Sequence, residues 1–365
     1  EITFTTLSNK LNQTANLFKK LGVGRTDVVS ILLPNLTETH LSIWASQAVA
    51  IANPINYLLQ VDHIIEILNE VKTKVLVTVS LDAETELGKK VHEIIARVPS
   101  LEHVLVVDNS YGEISHKNIT VSDFNHAIST QSNERLAETF QPKGEDIAMY
   151  FHTGGTTGRP KIAKLSHDNI SFVVQVYAGF NAYHGKSAVL NALPLFHVFG
   201  VIAASLAMFF VGRTVVIMTP EGFRNPNTVK NWWYFVNKYQ VCWFPTVPTI
   251  ISVLLQQPDE KIDLKCFEHA ACGSAPLPLE LKLSFQQRFN CSVTNGYGMT
   301  ESSCVVARTL PGYDVEGVAV GNAIPYSRVI AVELIDNKIS RICETNEPGI
   351  ILVKGPNVFQ GYLNV

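Results

Sequence analysis

Strand-like apolar runs alternate with helical stretches over most of this chain, and this alternation constrains the fold more than any other feature. Residues 28–33 are apolar except for Ser30 and are followed by Pro34, as expected of a strand buried on both faces. Similar runs recur at residues 74–78, 103–107, 147–151, 214–218 and 241–244. Strands that alternate with helices form βαβ units, so the pattern predicts largely parallel sheets.

Helical periodicity separates most of these runs. The first predicted helix has one apolar face and is ended by two glycines: Leu7, Leu11, Ala15, Phe18, Leu21, Gly22 and Gly24. Further helices are predicted over residues 37–50, 121–128, 228–239, 248–256 and 279–289. Residues 198–211 form the longest apolar stretch, which is shorter than the roughly 20 residues of a membrane span and predicts a buried core helix. Beyond residue 310, short apolar runs between Gly, Pro and Asn predict an antiparallel β piece.

Composition excludes several classes of protein. Apolar residues make up 46% of the chain, enough to bury large cores, so an intrinsically disordered protein is excluded. The 29 basic residues nearly balance the 32 acidic ones, and such a balance offers no electrostatic surface for nucleic acid. The six cysteines contain no Cys-x-x-Cys pair, which argues against a zinc knuckle and is typical of a reduced, cytoplasmic protein. The sequence does not indicate an oligomeric state.

A glycine-rich segment follows the predicted strand at residues 147–151. It runs Thr-Gly-Gly-Thr-Thr-Gly-Arg-Pro-Lys over residues 153–161. Glycines let backbone N–H groups approach an anion, while the threonine hydroxyls and the lysine add donors and a positive charge. The spacing does not match a Walker A motif. We therefore predict a polyphosphate site of another kind, formed by Thr153, Gly154, Gly155, Thr156, Thr157, Gly158 and Lys161.

A second segment, Asn-Gly-Tyr-Gly-Met-Thr-Glu, occupies residues 295–301. Taken alone, it is also compatible with an ordinary turn in which Thr-Glu opens a helix. In a chain that also contains a predicted polyphosphate site, the segment can instead be interpreted as part of a nucleotide site. Tyr297 offers a ring for stacking a purine, Thr300 offers a hydroxyl, and Glu301 is a hard oxygen ligand suited to Mg²⁺.

These two segments resemble the adenylate-forming superfamily of acyl-CoA synthetases, luciferases and peptide-synthetase adenylation domains. The first is similar to its T-S-G-T-T-G-x-P-K-G loop, with Gly154 in place of serine and Ile162 in place of the last glycine. The second is similar to its Y-G-x-T-E motif. Residues 348–364 are similar to the family's G-E-I-x-V-R-G-x-x-V-x-x-G-Y segment, to which we assign a structural role. The resemblance covers essentially the whole chain, from about Thr3 to Asn364.

The resemblance implies a fold. It is an α/β architecture of two flavodoxin-like, mostly parallel sheets with packed helices plus a small β-barrel-like piece. We expect α/β subdomains over about residues 1–185 and 186–310, with some chain exchange, and a β-rich subdomain over residues 311–365. Relatives continue into a T-G-D motif and a small C-terminal domain that carries the adenylation lysine. The expectation is therefore a large N-terminal domain alone, which binds ATP, adenylates poorly and does not complete the thioester.

The resemblance also implies a nucleotide site. In the family, the tyrosine of the second motif packs on adenine, the threonine touches the α-phosphate and the glutamate holds the metal. Residues 272–278 are similar to a G-G-A-P-L segment that lines the adenine pocket, with Ser274 where glycine is usual. Beyond the phosphate loop, the implied nucleotide-binding residues are Gly273, Ser274, Ala275, Asn295, Gly296, Tyr297, Gly298 and Thr300, with Glu301 as metal ligand and Lys161, His197, Thr300 and Glu301 as catalytic residues.

Residues 194–200 resemble the stretch that borders the acid substrate. A lone histidine beside an apolar helix is, before this context, more often a satisfied core residue. The implied pocket consists of His197, Val198, Phe199, Gly200, Val247 and Met299. Because these side chains are mostly apolar, we expect a fatty or other hydrophobic acid. No aspartate lies between residues 191 and 219, which argues against an amino-acid substrate.

The implied reaction needs alignment and charge neutralisation more than acid–base chemistry. An ionised carboxylate attacks the α-phosphorus of ATP, and the acyl-adenylate then passes to coenzyme A. The expected small molecules are ATP, Mg²⁺, the carboxylic acid and coenzyme A. Three alternatives stay open: an aryl-acid or coumarate-type CoA ligase, a non-catalytic ATP- or acyl-adenylate-binding module, and a P-loop NTPase, which the absent Walker A motif disfavours.

Overall fold

The computed structural model describes residues 1–108, 119–136, 141–154, 160–181, 188–258, 264–310 and 318–364. These residues form two mostly parallel sheets of seven strands each, a three-stranded antiparallel sheet and packed helices. The predicted α/β class is confirmed. The chain separates into two compact units, the first comprising residues 1–167, 194–197 and 360–365 and the second comprising residues 168–193 and 198–359.

The first unit is built on a sheet of order β5-β4-β3-β1-β2-β6-β7. Its strands are β1 (Val28–Leu32), β2 (Ile51–Pro54), β3 (Thr73–Thr78), β4 (His103–Val106), β5 (Thr120–Asp123), β6 (Ile147–Thr153) and β7 (Lys161–Ser166). Neighbouring strands are parallel except β6 and β7, which form an antiparallel hairpin. The helices are α1 (Phe4–Lys20), α2 (Thr37–Val49), α3 (Val61–Glu70), α4 (Glu86–Arg97) and α5 (Phe124–Ser129).

Two local features of the first unit show how side chains set these boundaries. The Thr3 hydroxyl accepts a hydrogen bond from Thr6 N at 3.1 Å and begins α1, whose Leu17 and Phe18 are buried. The helix predicted over residues 121–128 is instead strand β5 followed by α5. Asp123 separates the two elements, because its carboxylate accepts a hydrogen bond from His126 N and so caps the helix.

The second unit is built on a sheet of order β14-β13-β12-β11-β10-β8-β9. Its strands are β8 (Ala188–Asn191), β9 (Val215–Ile217), β10 (Val241–Thr246), β11 (His269–Cys272), β12 (Ser292–Tyr297), β13 (Ala307–Arg308) and β14 (Asn322–Ala323). The strands β8 to β12 pair in parallel, while β13 and β14 continue the sheet as antiparallel strands. The helices are α6 (His167–Asn181), α7 (Ala207–Phe210), α8 (Pro226–Lys230), α9 (Trp232–Lys238), α10 (Pro248–Leu255) and α11 (Leu279–Phe289).

Two predicted helices of the second unit take a different form. The helix expected over residues 228–239 is divided into α8 and α9, with Asn231 between them, and the Asn225 side chain caps the first. The apolar stretch at residues 198–211 is a buried helix, as predicted, but residues Phe199–Leu206 have π-helical geometry before α7 begins. Short π-helical segments are often found at functional sites.

The antiparallel piece predicted beyond residue 310 is a three-stranded sheet in the second unit. It consists of β15 (Arg328–Ile335), β16 (Lys338–Ile342) and β17 (Ile350–Lys354), in the order β16-β15-β17. Across all described residues, no helix combines the length and the apolar character that a membrane span requires.

Candidate functional site

The glycine-rich segment connects the two strands of the β6–β7 hairpin. Thr153 and Lys161 form the last pair of the ladder, and the Thr153 hydroxyl donates to the Lys161 carbonyl at 3.3 Å. The ends of the loop are therefore fixed by the sheet. A Cβ added to Gly154 would meet no atom of the described residues within 4 Å, so none of these residues obstructs a side chain at this position. Gly155, Thr156, Thr157 and Gly158 lie outside the described residues.

The Lys161 side chain is exposed and lies against the ring of Tyr362. Its Nζ atom is 5.1 Å from the ring centroid, within the range of a cation–π contact. The segment that carries Tyr362 pairs with the outer edge of β7, because Gln360 N donates to the Lys164 carbonyl at 2.8 Å and Leu363 N donates to the Ile162 carbonyl at 2.8 Å. The glycine-tyrosine segment thus has the structural role that its sequence predicts. It also places an aromatic ring beside the cation of the phosphate loop.

Two histidines of the first unit are neutral at physiological pH. Burial lowers the pKa of His152 to about 4, and the nearby His197 lowers it further. The His197 side chain is exposed, and partial desolvation by the surrounding protein still lowers its pKa. Its ring rests on Phe196 with the two centroids 4.8 Å apart. A neutral imidazole offers one N–H donor and one acceptor, which suits it to contact a carboxylic acid.

Three of the predicted acid-binding residues, Val198, Phe199 and Gly200, lie at the start of the π-helix. Gly200 is anchored there, because Asn191 Nδ2 at the end of β8 donates both to its carbonyl at 2.9 Å and to the Ser205 hydroxyl at 2.8 Å. Phe199 is half-buried. Val198, which precedes it, is buried, and Val247 is half-buried just after β10.

The turn after β11 carries Gly273, Ser274 and Ala275. Gly273 is buried, while Ser274 and Ala275 are exposed. Ser274 has φ of +69°, in the left-handed region that glycine adopts most readily. This conformation explains why glycine is usual at that position in the adenylate-forming superfamily, which the sequence resembles. Burial raises the pKa of the neighbouring Cys272 to about 12, so its thiol stays protonated.

The segment over residues 295–301 is strand β12 followed by a tight turn. Its Tyr297, Met299, Thr300 and Glu301 side chains are half-buried. Asn295 is buried, and its backbone N–H donates to the Thr309 hydroxyl at 2.8 Å. Gly298 has no room for a side chain, because an added Cβ would overlap the Cys304 carbonyl and lie 2.9 Å from Val305 Cα.

The turn that presents Glu301 is fixed by backbone hydrogen bonds. Ser302 N donates to the Met299 carbonyl at 3.1 Å, and Phe359 N donates to the Glu301 carbonyl at 2.9 Å. One carboxylate fits Mg²⁺, since this ion usually keeps several waters and takes its other ligands from substrate phosphates. Among the described residues, no group of three or more His, Cys, Asp and Glu side chains could hold a metal by itself.

The structure brings several of the predicted residues together within each unit. Thr153 pairs with Lys161 in the first unit. In the second, a Cβ added to Gly273 would lie 3.6 Å from the Phe199 ring and 3.5 Å from the Gly296 carbonyl oxygen. Two further residues are not among the predicted site residues. Tyr362 belongs to a segment predicted to have a structural role only, and Arg308 has no signal in local sequence, since strand pairing places it.

Comparisons with known proteins show what this chain is similar to. The model of the family described as "AMP-binding enzyme" matches residues 1–363. The marinolic acid–CoA ligase of Pseudoalteromonas sp. (strain SANK 73390) is 35% identical over 95% of this chain and 53% of its own length. The long-chain-fatty-acid–CoA ligase of Bacillus subtilis (strain 168) is 27% identical over 94% of this chain and 62% of its own length.

The fold also matches solved structures. The anthranilate CoA ligase AuaEII in complex with anthranoyl-AMP superimposes with a TM-score of 0.85 at 23% identity, over 99% of this chain and 65% of that one. At this identity the likeness shows the fold alone. The chain thus spans roughly half to two thirds of the length of these relatives.

Proposed function

Because the chain belongs to the AMP-binding enzyme family, we propose that it binds ATP and a hydrophobic carboxylic acid and joins them as an acyl-adenylate. The carboxylate attacks the α-phosphorus and pyrophosphate leaves, so the oxygen–phosphorus bond that forms replaces the one that breaks. In the whole protein the adenylate would then pass to the thiol of coenzyme A. The curated relatives are CoA ligases, which supports this reaction class.

The observation that carries the proposal is the placement of Lys161. Its exposed ammonium group is at the end of the glycine-rich loop, opposite Thr153, and is held beside the Tyr362 ring. An ammonium group at this point neutralises phosphate charge, while the loop backbone supplies N–H donors. We assign Thr153, Gly154 and Lys161 to the phosphates, together with the predicted loop residues.

The segment over residues 295–301 supplies further contacts in this proposal. Tyr297 stacks on the adenine, Thr300 contacts the α-phosphate, and Glu301 holds Mg²⁺. When bound, Mg²⁺ neutralises charge on the phosphate oxygens. The acid lies among Phe199, Met299 and the other apolar residues named for its pocket, and neutral His197 donates to its carboxylate or accepts from water. These apolar side chains favour a fatty acid or a similar hydrophobic acid.

ATP binding to the 365-residue chain tests the nucleotide half of the proposal. We expect Lys161→Met to weaken Mg²⁺–ATP binding by about 10-fold or more, as measured by isothermal titration calorimetry, because a charge-assisted contact to phosphate is lost. Lys164→Met is the matched control, since Lys164 lies on the same strand and is not assigned to the nucleotide. Glu301→Gln should remove the dependence of ATP binding on Mg²⁺. Equal affinities in all three variants and the original chain would show that the site is elsewhere.

The acid half is tested by ATP–pyrophosphate exchange in the whole protein. We expect exchange with long aliphatic acids and little with amino acids. Faster exchange with aromatic acids than with aliphatic ones would instead favour an aryl-acid CoA ligase.

A further inference from the structure

Next to the predicted acid-binding residue Phe199, a strip of the second sheet consists of the two glycines Gly273 and Gly296, which carry no side chains. Gly296 on β12 pairs with Arg308 on β13, and a Cβ added to Gly296 would lie 3.7 Å from Arg308 Cβ, so both residues point to the same face. Gly273 is level with Gly296, one residue beyond the Cys272–Asn295 pair. Phe199 covers the Gly273 end, since its ring lies 3.6 Å from the position of an added Cβ. The strip therefore runs from the Phe199 ring, across two glycines, to the root of Arg308.

Arg308 is buried with most of its hydrogen-bonding capacity unused. The residue is 5% exposed, and its Nε donates to the Thr309 carbonyl at 3.3 Å. Within the described parts of the chain, neither Nη1 nor Nη2 has a hydrogen-bond partner. The guanidinium lies 4.8 Å from the ring centroid of Phe180 and 5.6 Å from that of Tyr177, both on α6. Aromatic faces attract a cation but accept no hydrogen bonds in the plane of the guanidinium.

No anion among the described neighbours balances this charge. Cys304 and Tyr177 interact with Arg308, and the Cys304 thiol lies 3.9 Å from the Tyr177 hydroxyl. Burial raises the pKa of Cys304 to about 12 and that of Tyr177 well above its usual value, so both groups are neutral. An arginine that is desolvated and lacks a counter-charge is strongly unfavourable in a folded protein. A bound anion would offset the free-energy cost of burying this unpaired charge.

We propose that Arg308 binds a second carboxylate at the far end of the acid substrate, so that the preferred substrate is a dicarboxylic acid with an apolar middle. One carboxylate reacts with ATP while the other pairs with the two free Nη atoms, whose planar fork matches a carboxylate. The apolar middle crosses Gly296, which has no side chain of its own; a Cβ added there would lie in ordinary contact with its neighbours at 3.6 Å or more. The inference rests on the proposed function and narrows its substrate class.

Matched acids provide the test. Linear dicarboxylic acids of increasing length are compared with monocarboxylic acids that carry a methyl group in place of the second carboxylate, each titrated calorimetrically into the 365-residue chain saturated with AMP. We expect the best diacid to bind about 10-fold or more tightly than its matched monoacid. Arg308→Met should abolish or reverse this preference, and Arg308→Lys should retain part of it. Equal binding of both acids to the original chain, or an unchanged preference in Arg308→Met, would overturn the inference.

Thermal unfolding without ligand separates a binding role from a structural one. Because Arg308→Met replaces an unpaired buried charge by an apolar side chain of similar length, we expect an equal or higher unfolding temperature. A clearly lower temperature would show that Arg308 supports the fold, which would refute the binding role. If monoacids bind and diacids do not, only this inference fails. If neither class of acid binds and ATP does not bind either, the proposed function fails with it.

Discussion

The turn at Gly298 allows a quantitative test of how the structure holds Glu301 in place. A Cβ added to Gly298 would overlap the Cys304 carbonyl oxygen and lie 2.6 Å from its carbonyl carbon, whereas ordinary contacts begin at 3.4 Å. The obstacle is backbone, which cannot rotate away as a flexible side chain would. In Gly298→Ala the Cys304 peptide must therefore retreat by about 1–2 Å.

This displacement threatens two hydrogen bonds that close the turn. Cys304 N donates to the Met299 carbonyl at 3.2 Å, and Val306 N donates to the Tyr297 carbonyl at 2.8 Å. Each is worth about 1 kcal/mol, and overpacking adds about 1–3 kcal/mol. We expect Gly298→Ala to lose roughly 3–5 kcal/mol of stability or, where the turn rearranges instead, to lose Mg²⁺–ATP binding because Thr300 and Glu301 move.

Chemical unfolding and ATP titration on the same preparation measure both effects. Gly154→Ala is the matched control for stability, since it adds the same methyl group where no atom of the described part of the chain lies within 4 Å. It should unfold within about 0.5 kcal/mol of the original chain. If Gly298→Ala matched Gly154→Ala in stability and the original chain in ATP affinity, the reasoning about this turn would be wrong.

Three further predictions follow from residues described above. Ser274→Gly should stabilise the chain by up to about 1 kcal/mol in chemical unfolding, because it relieves a left-handed conformation, whereas Ala275→Gly should not. Tyr362→Leu should weaken ATP binding about 3-fold, with Tyr362→Phe close to the original chain, because the ring that holds Lys161 is lost only in the former; equal affinities would argue against the cation–π contact. Burial lowers the pKa of His40 from 6.5 to about 4, so between these two pH values His40 is neutral in the folded state and protonated in the unfolded state. The contribution of His40 to stability should thus fall by up to about 3 kcal/mol as pH drops from 6.5 to 4, and the total fall should be shallower in His40→Leu, as measured by urea unfolding at each pH.

Local patterns predict much of the fold because they depend on neighbours in sequence. The helix predicted over residues 279–289 is α11 with the same bounds, and the buried run at residues 28–33 is β1 within one residue. The hairpin strand β7 has no such signal, since lysines interrupt its apolar residues and its partner on the other side is the segment near Tyr362.

The residues of the candidate site also differ in how well the sequence predicts them. The glycine-rich loop and the segment over residues 295–301 each consist of consecutive residues, so the sequence alone indicates their chemistry. Arg308 is ordinary in sequence and becomes notable only through its pairing with Gly296 and its burial beneath α6. Similarly, the contact between Lys161 and Tyr362 joins residues about two hundred positions apart. Strand register, which decides both, depends on the whole sheet.

The pairing of residues 360–363 with β7 has a consequence for synthesis on the ribosome. β7 pairs with β6 on one side and with residues 360–363 on the other. The ribosome makes β6 and β7 long before residues 360–363, because residues 168–193 and 198–359 of the second unit are made in between. At about 5–20 residues per second, the outer edge of β7 stays open for roughly 10–40 s. Exposed strand edges recruit other strands. Nascent chains that carry the first unit alone are therefore the species in which a chaperone or an incorrect partner would compete for that edge.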